Sequence, residues 1–513
     1  MIKLRQYQET AVKKIRDLFL KSIKSILLVI PTGGGKTVIF TYISQQASLR
    51  NKKVLILVHR VELLRQTSEA LTKFGVAHGM INPMYTPNFN ANVQVASVQT
   101  LIKRLNYLTA VNWYPDTLII DESHHANAGS WRKIVEYFSD SLLLGVTATP
   151  IRGDGQGLGI NCGGLFEEIV IGPSTSLLIS EGFLVKPIVF SLPPAQRLDL
   201  SGVKTTMGDY NKNDLANLVD KPKIIGSAVE HYTKICPGVP AVAFCVSILH
   251  AEHVAQEFRN AGFRAYSVDG SMDDDERKKI LDGLGNGYAQ IVTSCDLISE
   301  GTDIPAIGCA ILLRPTHSKG LYMQQVGRAL RTLEGKEFAY VLDHVGNVMT
   351  HGMPDADHEW TLDGEKKRKG KKNQQEENVR VQQCLSCFAV HEPSPVCPQC
   401  GHVYEIKANI PKQIEGELMQ ITADMIQKKE KRIEQGKSNS LEDLRQLAKQ
   451  RGYHPRWADN IYTARQKKIE KIAEEKLLQK ISDMEIEFEL KSKTENELEL
   501  QLEAFSEFDN LDF

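Results

Sequence analysis

No apolar run in the 513-residue sequence approaches the roughly 18 residues that a membrane-spanning helix requires. The opening Met-Ile-Lys-Leu-Arg-Gln-Tyr-Gln also lacks the apolar stretch of a secretory signal. Both absences predict a cytoplasmic protein without a membrane partner. Cysteine is sparse, with nine residues, which argues against a disulfide framework and leaves free thiols and metal ligation. Net charge is almost absent at −1 and does not by itself announce a polyanionic partner. That balance conceals an acidic end: residues 483–513 mask a near-neutral to basic remainder. Gly-Lys-Thr after a glycine run occurs once, so a second phosphate loop is not expected. The length exceeds what one core supports and predicts about three domains. With 42% hydrophobic and 24% charged residues the composition is that of a globular protein.

The stretch Ile26 to Thr37, Ile-Leu-Leu-Val-Ile-Pro-Thr-Gly-Gly-Gly-Lys-Thr, is the informative one. An apolar strand pattern runs into Pro31, Thr32 and the glycines 33, 34 and 35, and a helical pattern follows. Glycines let backbone N–H groups approach phosphates, and the helix N-terminus adds positive potential. Lys36 is placed to reach the β- and γ-phosphates of ATP, and the Thr37 hydroxyl to hold Mg²⁺. The pattern departs from a P-loop at position 30, where Ile stands in place of Gly.

Short β-rich runs alternate with helical patterns from 26 to 190, with strands expected at 26–30, 54–58, 93–96, 117–120 and 142–146. A second set is expected at 242–246, 265–268, 291–294, 310–313 and 338–342. Continuous apolar strands separated by helices predict an α/β fold with parallel sheets covered on both faces, and ligands at the strands' carboxyl ends. Asp121-Glu-Ser-His124 and Thr147-Ala-Thr149 fall at such ends. Asp121 can hold Mg²⁺ through water and Glu122 can polarise an attacking water. Arg328 and Arg331, three apart, share a helix face and can neutralise phosphate charge across a cleft.

With these motifs in view, the chain resembles a superfamily 2 helicase of the DExH group. Lys36-Thr37 looks like motif I, His59-Arg-Val-Glu-Leu63 like Ia, Asp121–His124 like II, Thr147–Thr149 like III, Asp296–Pro305 like V and Gln324–Arg331 like VI. The resemblance implies two tandem RecA-like domains that bind ATP in the cleft between them. It implies that Gln8 and Arg5 read the adenine, and that Gly301 and Asp303 touch ribose. It implies that His124, Thr147, Thr149 and Gln324 couple hydrolysis to movement, with His59, Arg60, Gln99, Thr100 and Ser294 facing the nucleic acid. Leu313–Thr316, Leu321–Arg328 and Leu342–Asn347 further resemble the bacterial RadD helicases and their phage-encoded relatives.

Beyond the motor, Gly364–Lys372 is a basic run, by default solvated. Cys384-x-x-Cys387 and Cys397-x-x-Cys400 then suit a closed tetrahedral thiolate site, zinc or alternatively iron, at the end of which Gly401 lets the second knuckle turn. His391 and His402 are read as bystanders. A helical, charged region follows. Ser440 is its expected N-cap, Gly452 its stop, and a second helix carries Trp457, Ile461 and Tyr462. This pair is suited equally to DNA binding and to simple packing. The acidic end with Phe513 resembles the tip peptide of single-stranded-DNA-binding proteins, and docking to a partner there is one reading. The expected division is 1–190 first RecA-like domain, 191–221 excursion, 222–360 second RecA-like domain, 361–380 basic linker, 381–405 four-cysteine zinc ribbon, 406–482 helical region and 483–513 acidic tail. The expected function is an ATP-dependent DNA helicase or translocase using Mg²⁺ and Zn²⁺, in repair, recombination or phage replication. Its partners would be single-stranded, duplex or branched DNA, and a single-stranded-DNA-binding or other replication or repair protein. A restriction or defence motor subunit, an RNA helicase and a non-catalytic zinc-ribbon adaptor are the competing expectations.

Overall fold

The computed structural model describes residues 3–126, 129–152, 155–193, most of 197–220, 222–295, 298, 304–364, 381–404 and most of 440–466. Two compact units are present, 1–406 and 407–513. Gly301 and Asp303, most of the basic run 364–372, the stretch 405–439 and the acidic tail lie outside the described residues.

The first half opens with α1 (Gln6–Leu20) and β1 (Ser25–Val29), then α2 (Lys36–Ser48), β2 (Val54–Val58), α3 (Val61–Lys73) and β3 (His78–Ile81). It continues through β4 (Val93–Ser97), α4 (Val98–Leu101), α5 (Leu105–Ala110), β5 (Thr117–Asp121), α6 (Gly129–Tyr137), β6 (Leu142–Thr147) and β7 (Glu168–Ile171). These seven strands form one parallel sheet in the order β3-β4-β2-β5-β6-β1-β7. Strands β1, β2 and β4 are buried at every position, as expected for strands covered on both faces. Their side chains alternate between two apolar cores. Ile26, Leu28, Val54, Ile56 and Val58 face one, and Leu27, Val29, Leu55 and Leu57 face the other.

Helix α7 (Thr175–Ser180) leads to β8 (Lys186–Ser191), and the excursion follows with β9 (Thr205–Thr206), β10 (Asp209–Tyr210) and α8 (Lys212–Val219). The second half then runs α9 (Pro222–Ile235), β11 (Ala241–Phe244), α10 (Ile248–Asn260), β12 (Ala265–Val268), α11 (Asp274–Asn286), β13 (Ile291–Ser294) and β14 (Cys309–Leu312). It closes with α12 (Lys319–Ala329), β15 (Phe338–Asp343), α13 (Asn347–His351), β16 (Gln382–Gln383) and β17 (Ala389–His391). The second sheet has the order β12-β13-β11-β14-β15-β8-β17-β16.

Three boundaries differ from the sequence expectation. Strand β8 pairs in parallel with β15, so a division at 190 cuts through a strand of the second sheet. The cysteine-bearing hairpin is continuous with that sheet: β17 pairs antiparallel with β8, placing Ala389 opposite Phe190 and Val390 opposite Val189. The reason is the edge that β8 would otherwise expose, which β17 covers. The chain also returns to the first half after α13. Trp360 and Leu362 pack among residues that include Leu158 and Phe166, and Gly159 N donates to Leu362 O at 3.0 Å. Residues 357–364, expected as the end of the second domain and the start of a linker, thus form a strap on the first domain.

In the second unit α14 (Leu441–Gln450) starts at Ser440, whose hydroxyl accepts from Asp443 N at 3.0 Å while Asp443 Oδ2 accepts from Ser440 N. Helical residues 456–464 follow, and Leu444, Ala448 and Ala458 are buried together beside Trp457 and Ile461.

Candidate active site

The phosphate loop joins β1 to α2. Gly33 and Gly35 have φ of +82° and +83°, a region where side chains are strained. A Cβ on Gly34 would lie 2.6 Å from Ile30 Cγ2, so the isoleucine that departs from the P-loop pattern underlies the loop. Tyr7 Oη donates to Gly34 O at 2.9 Å, tying α1 to the loop. Gln8 is buried and its Oε1 accepts from Arg5 N at 2.9 Å. The Arg5 guanidinium lies 3.9 Å above the Phe183 ring, a cation–π contact. Sequence reasoning misses Tyr7 and Phe183 as site residues; Phe183 carries no local signal, because only folding brings it beside α1.

Strand β5 delivers Asp121 and Glu122, both buried. Burial raises the Asp121 carboxyl to about 6, with the Glu122 charge adding and the Lys36 ammonium opposing. Glu122 sits at φ 50°, ψ 54°, a left-handed conformation that is uncommon outside glycine. His124 Nδ1 lies 3.4 Å from Glu122 Oε2 and 3.3 Å from Thr147 Oγ1. Thr147 Oγ1 in turn donates to Thr149 O at 2.9 Å. The expected coupling set His124, Thr147 and Thr149 is therefore one contiguous group against Glu122.

Helix α12 approaches this group from the second domain. A Cβ on Gly320 would lie 2.8 Å from Thr149 Oγ1, and one on Gly327 would lie 2.6 Å from Thr32 Cβ. A Cβ on Gly33 would meet Leu184 at 2.9 Å and Arg331 Cγ at 3.5 Å. Helix α12 and the residues just after it thus abut the phosphate loop; Arg328 lies on the helix, whereas Arg331, expected on the same helix face, follows its end at Ala329 and forms a bridge to Leu184. Gln324 and Arg328 are buried. Lys336 has no motif to announce it: its Nζ donates to Arg331 O at 2.7 Å and Ile307 O at 2.6 Å, closing the end of the arginine helix. Burial, with the Arg331 charge adding, lowers its ammonium to about 8. At the other end of α12, Asn347 Nδ2 donates to Arg314 O at 2.9 Å and Asn347 Oδ1 accepts from Thr316 N at 3.1 Å. Asp209 of the excursion accepts from Thr316 Oγ1 at 2.9 Å and His317 N at 2.8 Å.

The residues expected to face nucleic acid divide. Gln99 is exposed and its Nε2 donates to His59 O at 2.8 Å; Thr100 accepts from Ser97 Oγ at 2.8 Å. Arg60 Nε donates to His59 Nε2 at 3.2 Å, and the His59 ring lies against that of His125, tilted at 54° with 4.7 Å between centroids. His59 consequently belongs beside the Asp121–Glu122 pair. Ser294 is 1% exposed, inside the second sheet and away from the surface.

The four cysteine sulfurs lie within 4.8 Å of one another, with Cys384–Cys400 at 3.7 Å and Cys387–Cys397 at 3.8 Å. Tetrahedral zinc–sulfur bonds of about 2.3 Å place sulfurs about 3.8 Å apart, so the donor set fits zinc. His391 Nδ1 lies 2.7 Å from Glu392 O and its Nε2 2.8 Å from Tyr404 Oη, so it is engaged elsewhere.

Residues 1–152 match the family model described as type III restriction enzyme, res subunit, and residues 227–332 match the helicase conserved C-terminal domain. A 51.5 kDa protein of a Lactococcus phage (isolate 7-9) is 32% identical over 403 residues, 78% of this chain and 83% of the phage protein. IRC3 of Saccharomyces cerevisiae, named as an ATP-dependent helicase, is 31% identical over 364 residues, 67% of this chain. The chain spans about half, 51%, of that yeast protein. The fold is similar to that of a fragment of a type I restriction enzyme HsdR subunit from Vibrio vulnificus YJ016, with a TM-score of 0.54 at 22% identity, covering 68% of this chain and 66% of that one. The chain belongs to the superfamily 2 DExH-type helicases, and it is an ATP-dependent enzyme of that class.

Proposed function

We propose that the chain moves on or unwinds DNA at the expense of ATP, in repair, recombination or phage replication. The observation that carries this reading is the seating of α12 on the phosphate loop, Gly327 against Thr32 and Arg331 beside Gly33, next to Asp121 and Glu122. The glycine loop and Lys36 bind the phosphates, while Arg5 and Gln8 hold the adenine and Gly301 and Asp303 the ribose. Thr37 and Asp121 would hold Mg²⁺, which when bound would supply neutralisation of phosphate charge. Glu122 accepts a proton from the attacking water, and Arg328 and Arg331 stabilise the charge that develops on the transferred phosphoryl group. His124, Thr147, Thr149 and Gln324 connect that chemistry to domain motion. The cysteines bind structural zinc and hold the hairpin at the second sheet's edge. The match to a restriction-enzyme family model favours DNA over RNA. In this reading Arg60, Gln99 and Thr100 line the track. The same match also supports a second reading, the motor subunit of a restriction or defence complex. A cytoplasmic location and docking of a single-stranded-DNA-binding protein are further parts of the proposal.

The test is the ATPase rate without nucleic acid and with single-stranded DNA, duplex DNA, forked DNA or RNA at a stated salt concentration. Stimulation by single strands is the signature of strand separation, and stimulation by duplex or forks that of a translocase. RNA as the sole activator would overturn the DNA assignment, and a co-purifying nuclease would favour the restriction reading. Lys36→Ala and Glu122→Gln are expected to abolish turnover; hydrolysis that survives both would refute the site.

A further inference from the structure

Three imidazoles form a row that starts at the end of β2 and finishes at the Glu122 carboxylate. The His59 and His125 centroids are 4.7 Å apart and those of His125 and His124 are 4.1 Å apart. His124 Nδ1 then reaches Glu122 Oε2 at 3.4 Å. At the outer end, Arg60 donates to the His59 ring and Gln99 to its carbonyl. Glu122, His124 and His125 share one short turn, in which His125 N donates to Glu122 O at 3.1 Å and Ser123 Oγ to Ile120 O at 2.8 Å. At these spacings a displacement of one ring is felt by the next, since close-packed groups leave no slack.

We propose that His125 is a positioning residue of the ATPase reaction. Its ring passes the setting of His59, which Arg60 and Gln99 hold, to His124, and His124 orients Glu122. A DNA strand that engages Arg60 and Gln99 thereby aligns the carboxylate for proton acceptance. The ring contacts of His125 with both neighbours, tilted at 54° to His59 and 44° to His124, are the transmitting feature. The inference rests on Glu122 as the base and on Arg60 and Gln99 as contacts to DNA.

The experiment uses the full chain and measures ATP turnover with and without single-stranded and duplex DNA. His125→Ala and His125→Gln are expected to lower the DNA-stimulated kcat about tenfold with the KM for ATP unchanged, and His125→Phe to stay within about twofold of the parent. A His59→Ala, His125→Ala double variant is expected to lose no more than either single variant, because both break one row. Full stimulation in His125→Gln, equal loss in His125→Phe, or additive losses in the double variant would overturn the proposal. Glu122→Gln, run in parallel, separates the premises. Turnover in Glu122→Gln removes the base itself, whereas an inactive Glu122→Gln beside an unaffected His125→Ala removes only the histidine row.

Discussion

Arg277 on α11 of the second domain reaches Glu62 on α3 of the first at 3.0 Å, and Arg65 on α3 reaches back to Asp274 on α11 at 2.5 Å. Arg277 also pairs with Asp274, so four charges clasp the two domains two residues beyond Arg60. The Arg277 side chain is 8% exposed, whereas Glu62 and Asp274 are 32% and 40% exposed, which places the clasp between surface and buried pairs in strength. Arg277→Ala is expected to favour separated domains by about 1–2 kcal/mol. Small-angle scattering should show a larger radius of gyration, and DNA-stimulated turnover should fall severalfold. An unchanged scattering profile would remove the clasp from the closing motion.

The approach of Gly327 to Thr32 leaves no room for a methyl group. Gly327→Ala is therefore expected to hold α12 off the phosphate loop and to reduce kcat at least about tenfold, because arginines displaced by an ångström lose most of their effect. The melting temperature should change little, since domain apposition and not a core is disturbed. Full activity in this variant would contradict the arrangement.

Asp121 carries a pH signature. Its carboxyl is raised to about 6, chiefly by burial, from an ordinary value of 3.8. A carboxyl raised in the folded state contributes stability that is complete below about 3.8 and is lost as pH rises through about 6. Asp121→Asn is accordingly expected to raise the nucleotide-free melting temperature at pH 7.5 while having little effect near pH 4, with a gain of up to roughly 3 kcal/mol. Turnover should vanish in the same variant. Identical melting gains at both pH values would disprove a buried charge as the cause.

Zinc removal should reach beyond the knuckles. Because β17 pairs with β8, Cys397→Ser is expected to abolish one equivalent of bound zinc, measured by plasma mass spectrometry, and to lower the melting temperature of the motor by several degrees. Bound iron in place of zinc would reassign the metal. An unchanged melt would separate the hairpin energetically from the sheet.

The chemistry-bearing stretches are readable because each depends on neighbours in sequence. A strand ending in Gly-Gly-Gly-Lys-Thr, a strand ending in Asp-Glu, and two arginines one helical turn apart all announce themselves locally. Strands β2, β12 and β13 occupy the ranges their apolar runs predict. The misses share a cause. The β7 run Glu168–Ile171 is short, and β3 carries glycine, so neither stands out from loop sequence. Strand β8, not expected as a strand, straddles the end of the expected first domain at 190, and β15, about 150 residues later, takes it into the second sheet. The resemblance puts Ser294 facing nucleic acid, yet its sheet position buries it.

By itself, then, the amino-acid sequence determined which residues can cradle phosphate, hold a metal and bear positive charge, since these properties belong to side-chain type and short spacing. The tertiary structure alone decided that Phe183 lies under Arg5, that His59 joins His125 beside Glu122, that Trp360 returns to the first domain and that the cysteine hairpin completes the second sheet. Those relationships are set by long-range pairing and burial, which periodicity within a dozen residues does not encode.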